Sequence, residues 1–528
     1  MKDLPKQTSF PRTLETVDGS PSVADAWFYR DVSGSDLTTV NPLLDPGDSE
    51  LARWRTVLVS GLRDGGQGIF ALDVTEPTQA ASDSATDYPR YLWGFPCDDC
   101  VNAENSGTAG EAAYMGFSWS EAVITRVRVA ADGGSLGGYD RWVAIFGAGY
   151  HANGDPNGAD YKLPSDVGYT PQGRAIYMVD ITTGEVLARK FFDPNAAALA
   201  STTSPQEGIA EFHYAFASGP AVFDLNFDGY ADVIYIGDLG GNVWKWVVNP
   251  VGDDPINNAL GNNDPSQPNW PFRRFFRAGT NLEPVLPGEQ SGGSWSSAVH
   301  YQSFFFPPTG ALRQGKLMLA FGAGERANPQ GDAAEYADGD ITNNNHYYVL
   351  RDSDGLEQGS TVHPINDSLD ESDLADFDDP VPLTCSEMQA TAEGYYITSR
   401  DAEKFVTNSV IFLGTVFTGS FMPPDPASPD PCAASGDAYL YAFDLDCGVG
   451  LFATDPGGEA DKRRKAIGSG IPTRPRVSVG DLTQGGGGVG GGLCANRVVM
   501  ITSDGFISND CPGTMPTSGV NVRSWRER

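Results

Sequence analysis

The chain has 528 residues, with 69 acidic against 35 basic side chains, and its formal net charge at pH 7 is −34. Such a charge repels phosphate backbones and anionic lipid headgroups, so we expect no nucleic acid partner and favour cations or basic protein patches. Aromatic residues make up 11% of the chain, whereas 63 glycines and 37 prolines indicate many turns and few long helices. The composition therefore predicts an all-β protein.

The N-terminus and the apolar runs give expectations about location. No stretch reaches 18 consecutive apolar residues, so we expect no membrane span, and MKDLPKQTSF lacks the apolar core of a secretion signal. If the protein is extracellular, we expect the chain to be a mature or truncated form whose signal, and a further N-terminal region, lie upstream. Residues 1–16 are interpreted as a lead-in segment, and 17–528 as one large β domain.

The seven cysteines are too few for a disulfide scaffold and indicate isolated disulfides in an oxidising compartment. Cys432 and Cys447 bracket a predicted strand pair, and a disulfide closing that loop would stabilise the fold by about 3 kcal/mol. Cys97 and Cys100 form CDDC, which lacks both the histidine of a haem attachment motif and the second cysteine pair of a zinc site.

A unit of three or four short strands recurs along the chain. Its first strand follows small residues, its second closes on glycine, and its third ends in aspartate or a turn, which predicts antiparallel pairing. The predicted first strands are 19–28, 118–127, 217–226, 294–302, 407–415 and 473–481. The second strands are 56–62, 142–150, 232–241, 317–325 and 409–417, and the third are 69–77, 176–184, 243–250, 347–355 and 439–448. Residues 497–507 supply a later strand to the last unit.

Six units can be traced, separated by long polar insertions such as 153–173, 257–270 and 485–492. The irregular spacing argues against a solenoid, whereas sheets arranged around an axis tolerate loops that project from their rims. We therefore predict a modified β-propeller with long polar insertions; an array of β-sandwiches is the alternative.

The stretch DLNFDGYAD, residues 224–232, predicts a metal site. In a calcium loop the side chains at positions 1, 3 and 5 converge, a glycine turns the backbone at position 6, and residue 7 offers its carbonyl. Asp224, Asn226, Asp228, Gly229 and Tyr230 fill these positions in order.

The same loop needs a closing ligand. The glutamate expected at position 12 of a helical loop is replaced by Tyr235, so Asp232 at position 9 is predicted to close the shell. The all-oxygen set disfavours zinc and copper, and its flexible geometry favours Ca²⁺ over Mg²⁺. A plain Asp-rich turn between two strands is the alternative interpretation.

These motifs resemble the C-terminal propeller of the type IV pilus biogenesis and tip adhesin family, the PilY/PilC type. The matching stretches are 18–25, 54–77, 116–124, 142–150, the loop 224–232, 235–246 and 522–528. The resemblance implies a propeller with up to seven blades, against the six traced from the repeat. It also implies Ca²⁺ bound by Asp224, Asn226, Asp228, Asp232 and the carbonyl of Tyr230.

The resemblance further implies a secreted protein at the pilus tip or outer cell surface. Such a protein contacts major or minor pilin subunits, supports pilus assembly and the balance of extension and retraction, and adheres to host or abiotic surfaces. We expect no enzymatic activity. A quinone-cofactor-dependent dehydrogenase propeller and an integrin-like ligand-binding propeller are the alternatives, but the chain lacks adjacent cysteines and a regular tryptophan repeat, and it has a single calcium loop.

Overall fold

A computed structural model describes nineteen segments of the chain. These are residues 17–28, 54–75, 88–96, 110–129, 139–158, 160–196, 206–248, 270, 272–278, 301–313, 315–329, 344–352, 369–376, 393–424, 435–452, 463–479, 496–503, 505 and 507–510. The lead-in segment 1–16, the insertion 485–492, most of 257–270 and the predicted strand residues 294–300 lie outside the described residues.

The chain divides into two compact units. The first comprises Met1–Phe276, Val285–Gln290 and Asp354–Ser368; the second comprises Arg277–Pro284, Ser291–Ser353 and Leu369–Arg528. Within the described residues, strands dominate both units, and the helical segments include short 3₁₀ turns at 110–113, Ala152–Gly154 and Glu371–Asp373. None of the helices in this part of the chain has the length and apolar character needed to cross a bilayer.

Three sheets make up the described part of the first unit. Sheet 1 has the order β1 Ser22–Trp27, β2 Trp54–Gly61, β3 Ile69–Asp73 and β4 Arg90–Phe95. Sheet 2 has the order β5 Val123–Val129, β6 Tyr139–Gly147, β7 Ala175–Asp180, β8 Val186–Phe192 and β9 Gln206–Ile209. Sheet 3 contains β10 Ala221–Phe223, β11 Val233–Gly237, β12 Asn242–Val247 and β13 Phe272–Arg277.

Three further sheets make up the described part of the second unit. Sheet 4 contains β14 Thr309–Arg313, β15 Lys316–Gly322 and β16 His346–Asp352. The short strand β17 Leu369–Asp370 follows in the chain and is not part of sheet 4, which is completed by β18 Ala375–Asp376 and β19 Gly394–Thr398. Sheet 5 contains β20 Lys404–Phe405, β21 Val410–Phe412, β22 Thr415–Met422, β23 Asp437–Asp444 and β24 Arg464–Ser469. Sheet 6 contains β25 Arg476–Val479, β26 Asn496–Ile501 and β27 Ile507–Asp510.

The antiparallel pairing of second and third strands is confirmed in sheets 1 to 4, where β2 pairs with β3, β6 with β7, β11 with β12 and β15 with β16. In sheet 5, the strand that pairs with β23 is β22. Two short outer strands pair in parallel, β9 with β8 and β18 with β19, and the repeat did not predict them.

The middle sheet of the first unit is buried on both faces because alternate side chains of a strand point to opposite sides. In β7, Ala175, Tyr177 and Val179 join a core shared with sheet 1, whereas Ile176 and Met178 join a core shared with sheet 3. The strand is therefore continuously apolar, and the three sheets pack face to face as neighbouring blades do.

Sheet 5 plays the same part in the second unit. Val416 and Phe443 lie in a core with sheet 4, whereas Phe417 and Ala442 lie in a core with sheet 6. The fold is thus all-β in both units, and burial on both faces explains why β23 is apolar between its terminal residues Asp437 and Asp444.

The aspartate that ends several third strands has a structural role. Asp73, Asp180 and Asp444 each end a strand and accept a hydrogen bond at Oδ1 from the backbone N–H two residues later, at 3.0, 2.8 and 2.9 Å. Each aspartate therefore forms an Asx turn that replaces the lost ladder pairing and reverses the chain.

The prediction of a single strand over 409–417 is wrong, because these residues form the hairpin of β21 and β22. Leu413 and Gly414 have φ angles of 51° and 78°, both in the left-handed region. Two successive residues of this kind form the tight turn whose twist matches antiparallel strands. The sequence pattern did not indicate this turn, because the residues around it are apolar.

Cys447 is disulfide-bonded, in agreement with the use of isolated disulfides. The other six cysteines lie outside the described residues, and the pairing with Cys432 stays a prediction.

Candidate metal centre

The predicted metal loop connects β10 to β11 in sheet 3. The two strands pair in antiparallel register with Phe223 opposite Val233, and the N–H of Asp232 donates to the carbonyl of Phe223 at 2.9 Å. Asp224 and Asp232 therefore enter and leave the loop side by side. The backbone pairing of β10 and β11 therefore sets the relative positions of Asp224 and Asp232 without a bound ion.

Within the loop, each side-chain ligand predicted at positions 1, 3 and 5 accepts a hydrogen bond from the backbone N–H of a later loop residue. The carboxylate of Asp224 accepts from the N–H of Asp228 at 3.2 Å and from that of Gly229 at 2.8 Å. Asn226 Oδ1 accepts from Asp228 N–H at 2.9 Å, and Asp228 Oδ1 accepts from Tyr230 N–H at 2.9 Å. These successive Asx turns bring Asp224, Asn226 and Asp228 together, since Asp224 and Asn226 share one donor.

Asp232 is turned back toward the start of the loop and is 1% exposed. Its Oδ2 accepts hydrogen bonds from the N–H groups of Leu225 at 2.6 Å and Asn226 at 3.3 Å. A buried carboxylate held by backbone donors is well oriented, because both contacts are charge-assisted. The structure therefore places position 9 next to positions 1 to 3 of the loop.

Two residues of the loop have left-handed backbones. Gly229, at the position where the calcium pattern requires glycine, has a φ angle of 88°. Phe227, at position 4, has a φ angle of 63°, and its side chain is 79% exposed. An aromatic side chain rarely adopts this conformation, so the loop imposes it on Phe227 at a cost of roughly 1 kcal/mol or more.

The donor set fits a hard divalent cation only if all of its oxygens contribute. Among the described residues, no three histidine, cysteine, aspartate or glutamate side chains are placed so that they could hold a metal ion by themselves. A shell at this loop would thus need Asn226 Oδ1 and the Tyr230 carbonyl in addition to the carboxylates. Such a mixture of carboxylate, amide and main-chain oxygen suits Ca²⁺.

The motif after the loop, DLGGNVWKW, is structural. Asp238 is fully buried and accepts hydrogen bonds from Asn242 N–H at 3.0 Å, from Gly240 N–H at 2.9 Å and from Trp244 Nε1 at 2.9 Å. Burial raises the pKa of Asp238, and the hydrogen bonds from Trp244 and Asn242 oppose the rise. Asp238 therefore locks the turn between β11 and β12 and is not a metal ligand candidate.

Sequence reasoning missed Arg126, which lies on β5 of sheet 2 and reaches the loop from the side. Its Nε donates to the carbonyl of Gly229 at 3.3 Å, and its guanidinium lies 4.1 Å from the centre of the Tyr230 ring. Its own carbonyl accepts from Ala231 N–H at 2.8 Å. No local motif could reveal these contacts, because more than 100 residues separate the partners.

With the fold and this loop established, residues 36–298 match the family model of the PilY1 beta-propeller domain, a range that contains the whole loop. The chain belongs to the PilY1 beta-propeller family. The crystal structure of the Pseudomonas aeruginosa PilY1 C-terminal domain superposes with a TM-score of 0.50 at 18% identity, covering 94% of this chain and 84% of that one. This likeness supports the propeller fold.

Curated relatives of the PilY1 type match over shorter ranges. The type IV pilus biogenesis factor PilY1 of Pseudomonas aeruginosa is 26% identical over 324 residues, which cover 60% of this chain and 20% of that protein. A PilY1 homolog of Xylella fastidiosa is 30% identical over 207 residues, covering 38% of this chain and 10% of that protein. The matches thus span a fifth or less of each relative's length.

Proposed function

We propose that the chain is a calcium-binding, non-enzymatic propeller of a type IV pilus biogenesis protein. It acts at the pilus tip or outer cell surface, where it contacts pilin subunits and supports pilus assembly, the balance of extension and retraction, and adhesion to surfaces. The family membership supports the pilus assignment, since the named relatives are type IV pilus biogenesis factors.

The loop of residues 224–232 carries the calcium part of the proposal. Its carboxylate and amide oxygens already accept backbone hydrogen bonds within the loop, which limits the further ordering needed when an ion binds. In the absence of a cation, Asp224, Asp228 and Asp232 would repel one another, and a divalent ion removes that repulsion. Extracellular sites of this kind bind Ca²⁺ with a Kd of about 10⁻⁴ to 10⁻³ M.

Calcium would act by mass action on the folded state. An ion that binds only the folded loop adds about 0.8 to 1.4 kcal/mol to the free energy of unfolding when its concentration is about threefold to tenfold above Kd. This added stability is located at the connection between β10 and β11. Loss of Ca²⁺ would therefore loosen this edge of sheet 3 and the surface next to it.

The absence of catalysis is also part of the proposal. The sequence has five histidines and no HExxH or phosphate-loop motif, which leaves few groups for acid–base chemistry. A titration of the calcium-loaded chain with free quinone cofactor tests this directly. Saturable binding of the quinone would support a dehydrogenase instead.

Recovery of pilins tests the proposed role. Purified major and minor pilins of the source organism are offered to the immobilised chain with 2 mM Ca²⁺ (about twice the highest expected Kd) or with excess chelator. We expect pilin recovery to fall with chelator, and to fall for the Asp228→Asn variant even with Ca²⁺. Equal recovery in all arms would remove calcium from the assembly role, and no recovery in any arm would contradict the pilin contact.

A further inference from the structure

Arg126 holds both peptide groups that flank Tyr230. The carbonyl of Gly229 accepts from Arg126 Nε at 3.3 Å, and the N–H of Ala231 donates to the Arg126 carbonyl at 2.8 Å. The Tyr230 ring is buried and lies 4.1 Å from the Arg126 guanidinium carbon. One residue of sheet 2 thus contacts three consecutive residues of the loop in sheet 3.

Peptide planarity turns these contacts into a constraint on the predicted ligands. The C=O of Tyr230 and the N–H of Ala231 belong to one planar trans peptide and point in opposite directions. Because this N–H points at Arg126, the Tyr230 carbonyl points away from Arg126. The same holds for the peptide before Tyr230: its carbonyl points at Arg126, and its N–H donates to Asp228 Oδ1 at 2.9 Å.

From this geometry we propose that Arg126 is a positioning residue for calcium, an inference that rests on the proposed function of the loop. Arg126 sets the direction of the Tyr230 carbonyl and, through Tyr230 N–H, the orientation of the Asp228 carboxylate. It also joins the loop to β5, so that occupancy of the loop by Ca²⁺ stabilises the contact between sheets 2 and 3.

Two effects of the side chain oppose each other. The hydrogen bond and the ring contact order the ligands, which favours binding, whereas the positive charge repels a divalent ion. Arg126→Lys keeps the charge and loses the planar donor, so it isolates the positioning effect. Arg126→Ala removes both, so part of its loss of affinity is offset by relief of the repulsion.

Calcium affinity, measured by calorimetry at a temperature where each variant is folded, tests the proposal. We expect Arg126→Lys to raise the Kd for Ca²⁺ about fivefold, as loss of one net hydrogen bond predicts, and Arg126→Ala to raise it less. Arg476→Ala, which removes an exposed arginine of β25, should change Kd by less than about twofold. The midpoint of unfolding in chelator should change little for Arg126→Lys, which separates positioning from a general loss of stability.

Hydrogen exchange of the unmodified chain gives a second test that needs no variant. We expect Ca²⁺ to slow amide exchange in residues 224–232 and also in 123–129. If wild-type chain binds Ca²⁺ but Arg126→Lys binds equally well and 123–129 gains no protection, the positioning role is wrong while the calcium loop stands. If wild-type chain shows no saturable binding, the calcium loop and this inference both fail.

Discussion

The carboxylate of Asp224 accepts a hydrogen bond from the backbone N–H of Gly229 at 2.8 Å, which joins the first position of the loop to the glycine that turns it. This hydrogen bond joins the start of the loop to its turn without a bound ion. The loop is therefore arranged in advance, and its variants should separate effects on affinity from effects on folding.

Replacement of Asp228 by asparagine should weaken calcium binding with little effect on the fold. The residue is exposed, and an amide oxygen can still accept from Tyr230 N–H, but one negative charge of the shell is lost. We expect the Kd for Ca²⁺ to rise at least about tenfold in calorimetry, because affinity follows ligand charge. Asp401→Asn, at an exposed position of the second unit, is the control, and a Kd for Asp228→Asn equal to that of the control would argue against the site.

Replacement of Asp232 by alanine should destabilise the chain even in chelator. Asp232 is buried, and its loss leaves the N–H groups of Leu225 and Asn226 without their acceptor. A buried N–H group without an acceptor lowers the free energy of unfolding by about 1 to 3 kcal/mol. Denaturant unfolding in excess chelator measures this cost, and an unchanged midpoint would show that Asp232 does not anchor the loop.

Relief of the left-handed backbone at Phe227 should stabilise the chain. Asparagine tolerates this conformation better than phenylalanine, and little apolar burial is lost because the ring is 79% exposed. We expect Phe227→Asn to raise the free energy of unfolding by about 0.5 to 1 kcal/mol. Val167→Asn, at a residue 97% exposed, is the matched control and should have no effect. A loss of stability for Phe227→Asn would show that the ring makes contacts that stabilise the fold.

Asp180 should make the stability of sheet 2 depend on pH. Burial raises the pKa of this carboxyl to about 7, against 3.8 for an exposed aspartate, although the N–H groups of Thr182 and Thr183 oppose the rise. A folded-state pKa above the unfolded value contributes stability that is complete below about pH 4 and is lost as the pH rises through 7.

Asparagine at position 180 removes this titration but keeps an oxygen that can accept from Thr182 N–H. We expect Asp180→Asn to stabilise the chain by about 1 to 3 kcal/mol at pH 8 and to have little effect at pH 4. Thermal unfolding across this range measures the difference. A constant difference between the two proteins at every pH would contradict the buried, titrating carboxyl.

Much of the fold follows from short-range pattern. The apolar strands closing on glycine and the strands ending in aspartate were predictable because each motif has a local cause, as the Asx turn of Asp180 shows. The loop of residues 224–232 was predictable for the same reason, since most of its hydrogen bonds join residues less than eight positions apart.

The parts that could not be predicted depend on distant contacts or on turns without a clear signal. Arg126 contacts Gly229 across more than 100 residues, and β9 pairs with β8 through a parallel contact that no repeat indicates. The turn at Leu413 and Gly414 was not predicted because leucine rarely adopts the left-handed conformation.

A calcium titration of the intact wild-type chain, followed by calorimetry with Mg²⁺ as the competing ion, tests the central claim most directly. We predict one Ca²⁺ site per chain at the loop, with a Kd of about 10⁻⁴ to 10⁻³ M, and a rise in the unfolding midpoint as the site fills. Absence of saturable binding at concentrations well above this range, or binding that is unchanged in both Asp228→Asn and Asp232→Ala, would contradict the account.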